Sequence, residues 1–292
     1  MTLIPASRKD EGLLEEVDQF ATDEKYFHLW WLGQSGYLLV WKGKRLLLDP
    51  YLSDSLTEKY ANSVKPHVRM SERVIDPELF RNISVVSSSH NHTDHLDGST
   101  LVPLIRNNPG LRFICPEANR QFVTERISMP LDFPLGIDEG GSAEVYGFRF
   151  YGVPASHNAI ERDEQGRCRF LGYIIRFGEW TIYHSGDTLW FEGMEELLHP
   201  FHIDLAILPI NGNDPGRGVA GNLDAREAAE LGKAIGAGLV IPCHYHMFTF
   251  NTEDPQVFAR EAEKVGQAFL ILDHGGHFSS EALGNKRGRS DD

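Results

Sequence analysis

Apolar residues in this chain come mostly in short runs, each closed by glycine, proline, asparagine or a charged residue. This pattern predicts many strands joined by tight turns. Leu13, Leu14 and Val17 recur at helical spacing among acidic residues, so residues 7–20 read as an amphipathic helix packed on the body. Strands follow over 26–32 and 37–41, broken at Gly33-Gln34-Ser35-Gly36. Lys42-Gly43 turns the second into a third over 45–48. Residues 51–73 lack a period and predict a long loop with short helical pieces, placed to wall a pocket. Beyond it come a strand at 83–86, a helix at 99–105 capped by Ser99 or Thr100, a strand at 111–115, a helix at 117–127 and short strands within 133–153. A second series follows: a hairpin of 170–176 and 180–183 turning at Gly178-Glu179, and a strand at 203–210. Next are a helix at 223–235 capped by Asn222 or Asp224, a strand at 239–243, a helix at 255–265 and a last strand at 269–272.

No low-complexity tract or Pro/Ser-rich linker interrupts these series. The restart of the pattern near Val145 predicts one domain over 1–292, built from two similar β-rich halves, 28–144 and 145–280. A helical segment (1–27) would precede them and a charged tail (285–292) follow. The 292 residues, 41% hydrophobic and 24% charged, are ample for a buried core and typical of a soluble globular chain. A formal charge of −14 argues against nucleic-acid or anionic-membrane partners, although it can conceal a local basic pocket. Three widely spaced cysteines, Cys115, Cys168 and Cys243, do not suggest a disulfide framework. With no apolar leader and no run of membrane-spanning length, the expectation is a cytoplasmic protein. Oligomeric state is not legible, though the aromatic loops could support a homo-oligomer.

The chemistry concentrates after the strand at 83–86. His90, His92, Asp94 and His95 lie within six residues on a turn at the carboxyl end of that strand, where open α/β sheets tend to hold ligands. His90 and His92 can share one metal ion, and Asp94 and His95, beyond the bend, can serve a second; imidazole with carboxylate suits zinc, manganese or iron. A surface loop that merely happens to be histidine-rich is the alternative, and four ligand-type residues at this spacing argue against it. Three more strands end in ligand types, at His157, Asp187 and His244. Taken alone, His157 would more often be a structural hydrogen-bonder and Asp187 a turn former. Gly186 permits a sharp bend that turns the Asp187 carboxylate to the same edge as His90. Asp49, closing the strand at 45–48, reads equally as a turn former or as a partner orienting a ligand histidine.

His90-Asn91-His92-Thr93-Asp94-His95 resembles the H-x-H-x-D-H signature of the metallo-β-lactamase fold superfamily. Further stretches are similar to its L-ascorbate-6-phosphate lactonase group: Trp30-Trp31-Leu32-Gly33-Gln34-Ser35-Gly36, Tyr183-His184-Ser185-Gly186-Asp187, Asn213-Asp214-Pro215-Gly216-Arg217-Gly218 and Val240-Ile241-Pro242-Cys243-His244. The resemblance spans roughly residues 28–278, in order. It implies an α/β fold, a four-layer αββα sandwich, with two divalent metal ions, manganese or zinc. His90, His92 and His157 would hold one ion, Asp94, His95 and His244 the other, and Asp187 would bridge them. Asp94 and Asp187 thus carry the catalytic role. A hydroxide bridging the ions would hydrolyse a small anionic substrate, a phosphorylated sugar lactone. Ser89-His90-Asn91-His92-Thr93-Asp94-His95-Leu96-Asp97 also resembles the N-acyl-phosphatidylethanolamine phospholipase D branch, which makes a phosphodiester the alternative substrate. A non-catalytic metal-binding protein is a further alternative, weakened because every expected ligand position is filled. Arg217, in a glycine-rich loop, could bind the phosphate, or be a solvated loop arginine. His246, His277 and Trp190 are further candidates for the substrate pocket, the two histidines for protonating a leaving group.

Overall fold

Successive residues of the first strands part to opposite sides. In β1 (His28–Gly33), Leu29 and Trp31 enter one buried cluster while Trp30 and Leu32 enter another. β2 (Gly36–Trp41) and β3 (Lys44–Leu48) repeat the division, with Tyr37, Leu39, Leu46 and Leu48 on one side and Leu38, Val40 and Leu47 on the other. A sheet apolar on both faces has to be covered on both. The computed structural model, which describes residues 2–214, 216 and 221–284, shows how.

Helices α1 (Asp10–Phe20), α3 (Gly98–Asn107) and α4 (Arg120–Ile127) cover one face through Leu13, Val17, Leu101, Leu104, Val123 and Ile127. A short helix, α2 (Ser55–Lys59), lies in the 51–73 segment. With β4 (Ile83–Ser87), β5 (Arg112–Pro116) and β6 (Pro134–Ile137) running parallel to β3, the first sheet continues as β1-β2-β3-β4-β5-β6. The chain then changes sheets. β7 (Ser142–Val145), β8 (Phe148–Pro154), β9 (Leu171–Phe177) and β10 (Trp180–His184) are antiparallel neighbours; β11 (Leu205–Pro209) and β12 (Leu239–Cys243) add in parallel. Phe150, Tyr173, Ile182 and Ile207 of this second sheet share a buried cluster with Trp31, Tyr37 and Leu48 of the first, so the two sheets pack face to face. α6 (Ala225–Ala234) and α7 (Pro255–Val265) complete the fourth layer, with Ala228, Leu231, Phe258 and Ala262 buried. The expected αββα layering is present.

Two local expectations differ, and a third is settled between its alternatives. Asp97, not Ser99 or Thr100, caps α3: its carboxylate accepts from both of their backbone N–H groups and from the Thr100 hydroxyl at 2.6 Å. At the start of α6, Asp224 rather than Asn222 is the cap, in a reciprocal box with Glu227. Residues 269–272 form no regular strand; they touch β12 only through a bridge between Val240 and Phe269. The last strand is instead β13 (His277–Ser279), antiparallel to β1 at the edge of the first sheet. Only Phe278 of its three residues is fully buried, too little pattern to read. α5 (Met194–Leu198), a single turn, was also illegible.

Candidate metal centre

Four strand ends deliver the candidate ligands. β4 leads to His90, β8 to His157, β10 to Asp187 and β12 to His244; the parallel register of β10, β11 and β12 brings their carboxyl ends to one rim. Ligand atoms of His90, His92 and Asp187 all lie within 4.8 Å of one another, as do those of Asp94, His95 and His244. Asp187 faces both groups, with Oδ1 3.3 Å from His95 Nε2 and 3.4 Å from His244 Nε2. His157 stands slightly apart, its ring centroid 4.9 Å from that of His92 and 5.8 Å from that of His90. The structure therefore brings six of the seven expected ligands into two groups, with His157 beside them, its Nδ1 3.9 Å from Asp187 Oδ2.

Glycines shape this arrangement at two points. Gly186, at φ +59°, makes the bend before Asp187, and a Cβ there would lie 2.7 Å from Ser89 Cβ. Gly221, at φ +81°, supplies the carbonyl 3.1 Å from His157 Nδ1, and a Cβ on it would fall 2.1 Å from that nitrogen.

The imidazoles are oriented from behind. Asp49 accepts from the Ser89 backbone N–H at 2.8 Å, from the Ser89 hydroxyl, and from His95 Nδ1 at 2.6 Å. Because Ser89 gives its proton to Asp49, His90 Nδ1 at 3.0 Å must donate to the Ser89 oxygen. Both rings thereby turn Nε2 toward the cleft. Those nitrogens, together with Asp187 Oδ1, are buried and have no hydrogen-bond partner among the described residues. Orphaned polar atoms of this kind fit divalent cations and would be costly otherwise.

The electrostatics agree. Burial pushes His90 well below its ordinary range and also lowers His92, so both stay neutral and able to donate a lone pair. Burial opposes charge on Asp187 and Asp94, but His95 and His244 outweigh it and hold both carboxyls low. His95 is raised because Asp187 and Asp94 overcome its own desolvation. A buried Asp187 and a partly exposed Asp94 thus favour positive charge at this rim.

The remaining expected site residues are placed differently. Arg217 lies outside the described residues, as does the 285–292 tail. His277 does not reach the cleft. On β13 Phe278 faces the space between the sheets, so His277 points the other way, stacked on Trp30 at 4.6 Å and hydrogen-bonded to His28 at 3.1 Å. His246 sits in the turn after His244, its N–H donating to Thr252 Oγ1 at 2.8 Å, and does not line the cavity. Trp190 packs against the core cluster rather than lining the cavity.

Sequence reasoning missed several residues that do line it. The cavity, about 330 Å³, is walled by Leu56, Lys59, Tyr60 and His67 from the irregular segment, as that segment's position suggested, together with Phe248 and Phe250, whose rings pack against His67. Arg126 lines it too, donating to the carbonyls of Leu96 at 3.0 Å and Asn91 at 3.3 Å. Gln34 was hidden in the glycine turn between β1 and β2; the one signal was a polar side chain between two apolar strands, and it is fully buried.

Behind the turn, His274 stacks on Trp31 at 4.3 Å, and burial, with His246 and Arg69 adding repulsion, pushes it down to about 3. An unfolded histidine titrates near 6.5. Between those values the unfolded chain takes a proton that the native chain refuses, so stability falls as pH drops from about 6.5 toward about 3. Each pH unit in this window should cost about 1.4 kcal/mol from this group. Urea unfolding of metal-free His274→Gln should show a shallower acid limb than wild type; parallel limbs would remove the role.

Residues 44–245 match the family described as the beta-lactamase superfamily domain. A UPF0173 metal-dependent hydrolase of Thermoplasma acidophilum is 30% identical over 242 residues, 82% of this chain and 93% of the relative. Another, from Methanosarcina mazei, is 29% identical over 84% of this chain and 95% of its own length. Among solved structures, Igni18, a metallo hydrolase from Ignicoccus hospitalis, superposes with a TM-score of 0.64 at 22% identity, covering 87% of this chain and 98% of that one. The isothiocyanate hydrolase from Delia radicum gut bacteria gives 0.67 at 17% identity, over 86% and 98%. The family match, the two-sheet fold and the six clustered candidate ligands lead to one conclusion: the chain belongs to the metallo-β-lactamase superfamily.

Proposed function

We propose that this protein is a metal-dependent hydrolase working with two divalent cations, manganese or zinc, on a small anionic substrate, with a phosphorylated sugar lactone as the best fit. The observation that carries the reading is the pair of three-residue groups, His90, His92 and Asp187 beside Asp94, His95 and His244, with Asp187 facing both and buried polar atoms left unpartnered among the described residues. His90, His92 and His157 would hold one cation and Asp94, His95 and His244 the other. Bound there, the cations supply a water ionised near neutral pH and polarise the oxygen of the bond to be cut. The chain's own groups do the rest. Asp94 and Asp187 balance the cationic charge, Asp49 and Ser89 fix the rings of His95 and His90, and Gly221 fixes that of His157. Tyr60, Phe248 and Phe250 shield the cavity from water.

Substrate charge is argued from the cavity wall. In a chain of net charge −14, its lining carries Lys59 and Arg126 and no carboxylate besides Asp94 and Asp187, among the described residues. Arg126 is anchored to the ligand loop itself, so a phosphate or carboxylate it binds is held at a fixed distance from the metal positions. Replacing both cations, as Lys59→Gln with Arg126→Gln, should raise KM for an anionic substrate about tenfold and leave a neutral analogue nearly unchanged. Steady-state kinetics on the two substrates checks this.

No helix among the described residues is long and apolar enough to cross a membrane, and the three cysteines are free and buried. Both features accord with a cytoplasmic enzyme. The deciding experiment is a screen of manganese- and zinc-loaded protein on phosphorylated lactones, phosphodiesters and thioesters. Lactone opening with the highest kcat/KM supports the reading. Turnover of phosphodiesters alone would move the protein to the phospholipase D-like alternative.

A further inference from the structure

Gln34 occupies a place that the ligand assignment above does not use. Its side chain is fully buried, on a turn fixed by its own carbonyl, which accepts from Trp31 Nε1 at 2.9 Å and from the His244 backbone N–H at 3.1 Å. The end of its amide lies 3.0 Å from Asp94 Oδ2 and 3.3 Å from His244 Nε2. Neighbouring separations in the same cluster are similar. His244 Nε2 to Asp94 Oδ2 is 3.5 Å, His95 Nε2 to Asp94 Oδ2 is 3.7 Å, and Asp187 Oδ1 stands 3.3 and 3.4 Å from His95 Nε2 and His244 Nε2. Donor atoms about 2.0–2.2 Å from a common cation lie roughly 3.0–3.5 Å from one another in tetrahedral or octahedral shells. The Gln34 amide is therefore spaced as a member of the shell.

Which end of the amide faces inward depends on charge. Against bare carboxylates the NH2 end turns in and donates to Asp94, leaving Oε1 buried without a partner among the described residues. Against a cation the favourable orientation is the reverse, carbonyl oxygen inward, at the cost of a half-turn about one side-chain bond. Resting on the two-cation reading, we propose that Gln34 ligates the second cation through its side-chain oxygen. It would complete a five-residue cage with Asp94, His95, His244 and Asp187 that favours a hard cation of high coordination number, such as Mn2+, over Zn2+. Carbonyl and carboxylate oxygens suit manganese, whereas the imidazole-rich first position suits zinc equally well.

Two substitutions separate this role from that of a hydrogen-bond donor to Asp94. Gln34→Asn keeps an amide and tolerates the backbone φ of +49°, but withdraws the oxygen by one methylene. Gln34→Glu keeps an oxygen at full reach and removes the donor. Mn2+ and Zn2+ titrations of the full chain, with optical spectra of the Co2+-substituted protein, read the outcome. Gln34→Asn should weaken the second Mn2+ about 10–100-fold and shift the Co2+ bands toward the stronger absorption of fewer ligands. Gln34→Glu should hold the second Mn2+ at least as tightly as wild type, with the Co2+ spectrum preserved. If Gln34→Glu is instead the more damaging change, or if Gln34→Asn leaves Mn2+ affinity and spectrum intact, the assignment is overturned while the two-cation reading stands. A wild-type protein that takes up fewer than two cations overturns both. Should Gln34→Asn fail to fold, the comparison of Gln34→Glu with wild type still decides.

Discussion

Asp187→Ala should bind at most one cation per chain in place of two and lose hydrolysis by about three orders of magnitude or more. The carboxylate faces both ligand groups, so its removal opens both at once and leaves His95 Nε2 and His244 Nε2 without the oxygen now 3.3 and 3.4 Å away. A cation pair contributes several kcal/mol of transition-state stabilisation, and each 1.4 kcal/mol lost is about tenfold in rate. Metal content by mass spectrometry alongside steady-state rates tests this. A variant that retains two cations and near-normal turnover would remove the bridging role.

A second large effect is expected at Asp49, which touches no predicted substrate. Asp49 and His95 are both fully buried, and Asp49→Ala strips three donors of their acceptor: Ser89 N–H, the Ser89 hydroxyl and His95 Nδ1. At about 1–3 kcal/mol for each buried donor left unpaired, with some relief from an entering water, unfolding free energy should fall by about 3–6 kcal/mol. Asp49→Asn separates orientation from stability. Its oxygen can still accept from the Ser89 N–H, but an NH2 facing His95 Nδ1 forces the proton to Nε2, the nitrogen a cation needs. Asp49→Asn should therefore keep most of the stability and lose about 10–100-fold in affinity for the second cation. Urea unfolding of metal-free protein with metal titrations measures both. Equal metal binding by wild type and Asp49→Asn would contradict the tautomer argument.

The candidate ligands were legible because His90, His157, Asp187 and His244 follow apolar strands, and a strand end is a position that sequence can mark. Of their supporting residues, Asp49 was legible only as one of two equal readings, and the structure favours the one that orients a histidine, while Ser89 was not legible at all. Asp49 and Ser89 are 40 residues apart and meet only because β3 and β4 pair in parallel, with Leu48 opposite Ser87. Gln34 looked like one member of a turn, since burial of a turn residue is decided by what the other sheet places over it. His277 failed for the opposite reason: its residue type suggested chemistry, but the alternation of β13 points it at the helical layer. Lys59 and Arg126 come from separate segments and carry no shared pattern, so a basic patch inside an acidic chain could be allowed for but not located.

The pairing of β13 with β1 has a bearing on how the molecule is made. A strand near residue 278 must find one near residue 29, so the edge of the first sheet stays open until about 250 further residues have been synthesised. By then β12 and His244 have also emerged, and the second group of candidate ligands cannot form before residue 244 is made. If the proposed cations bind there, the H-x-H-x-D-H segment could offer only part of their donor set until His244 joins it, and tight capture would follow the closing of the fold.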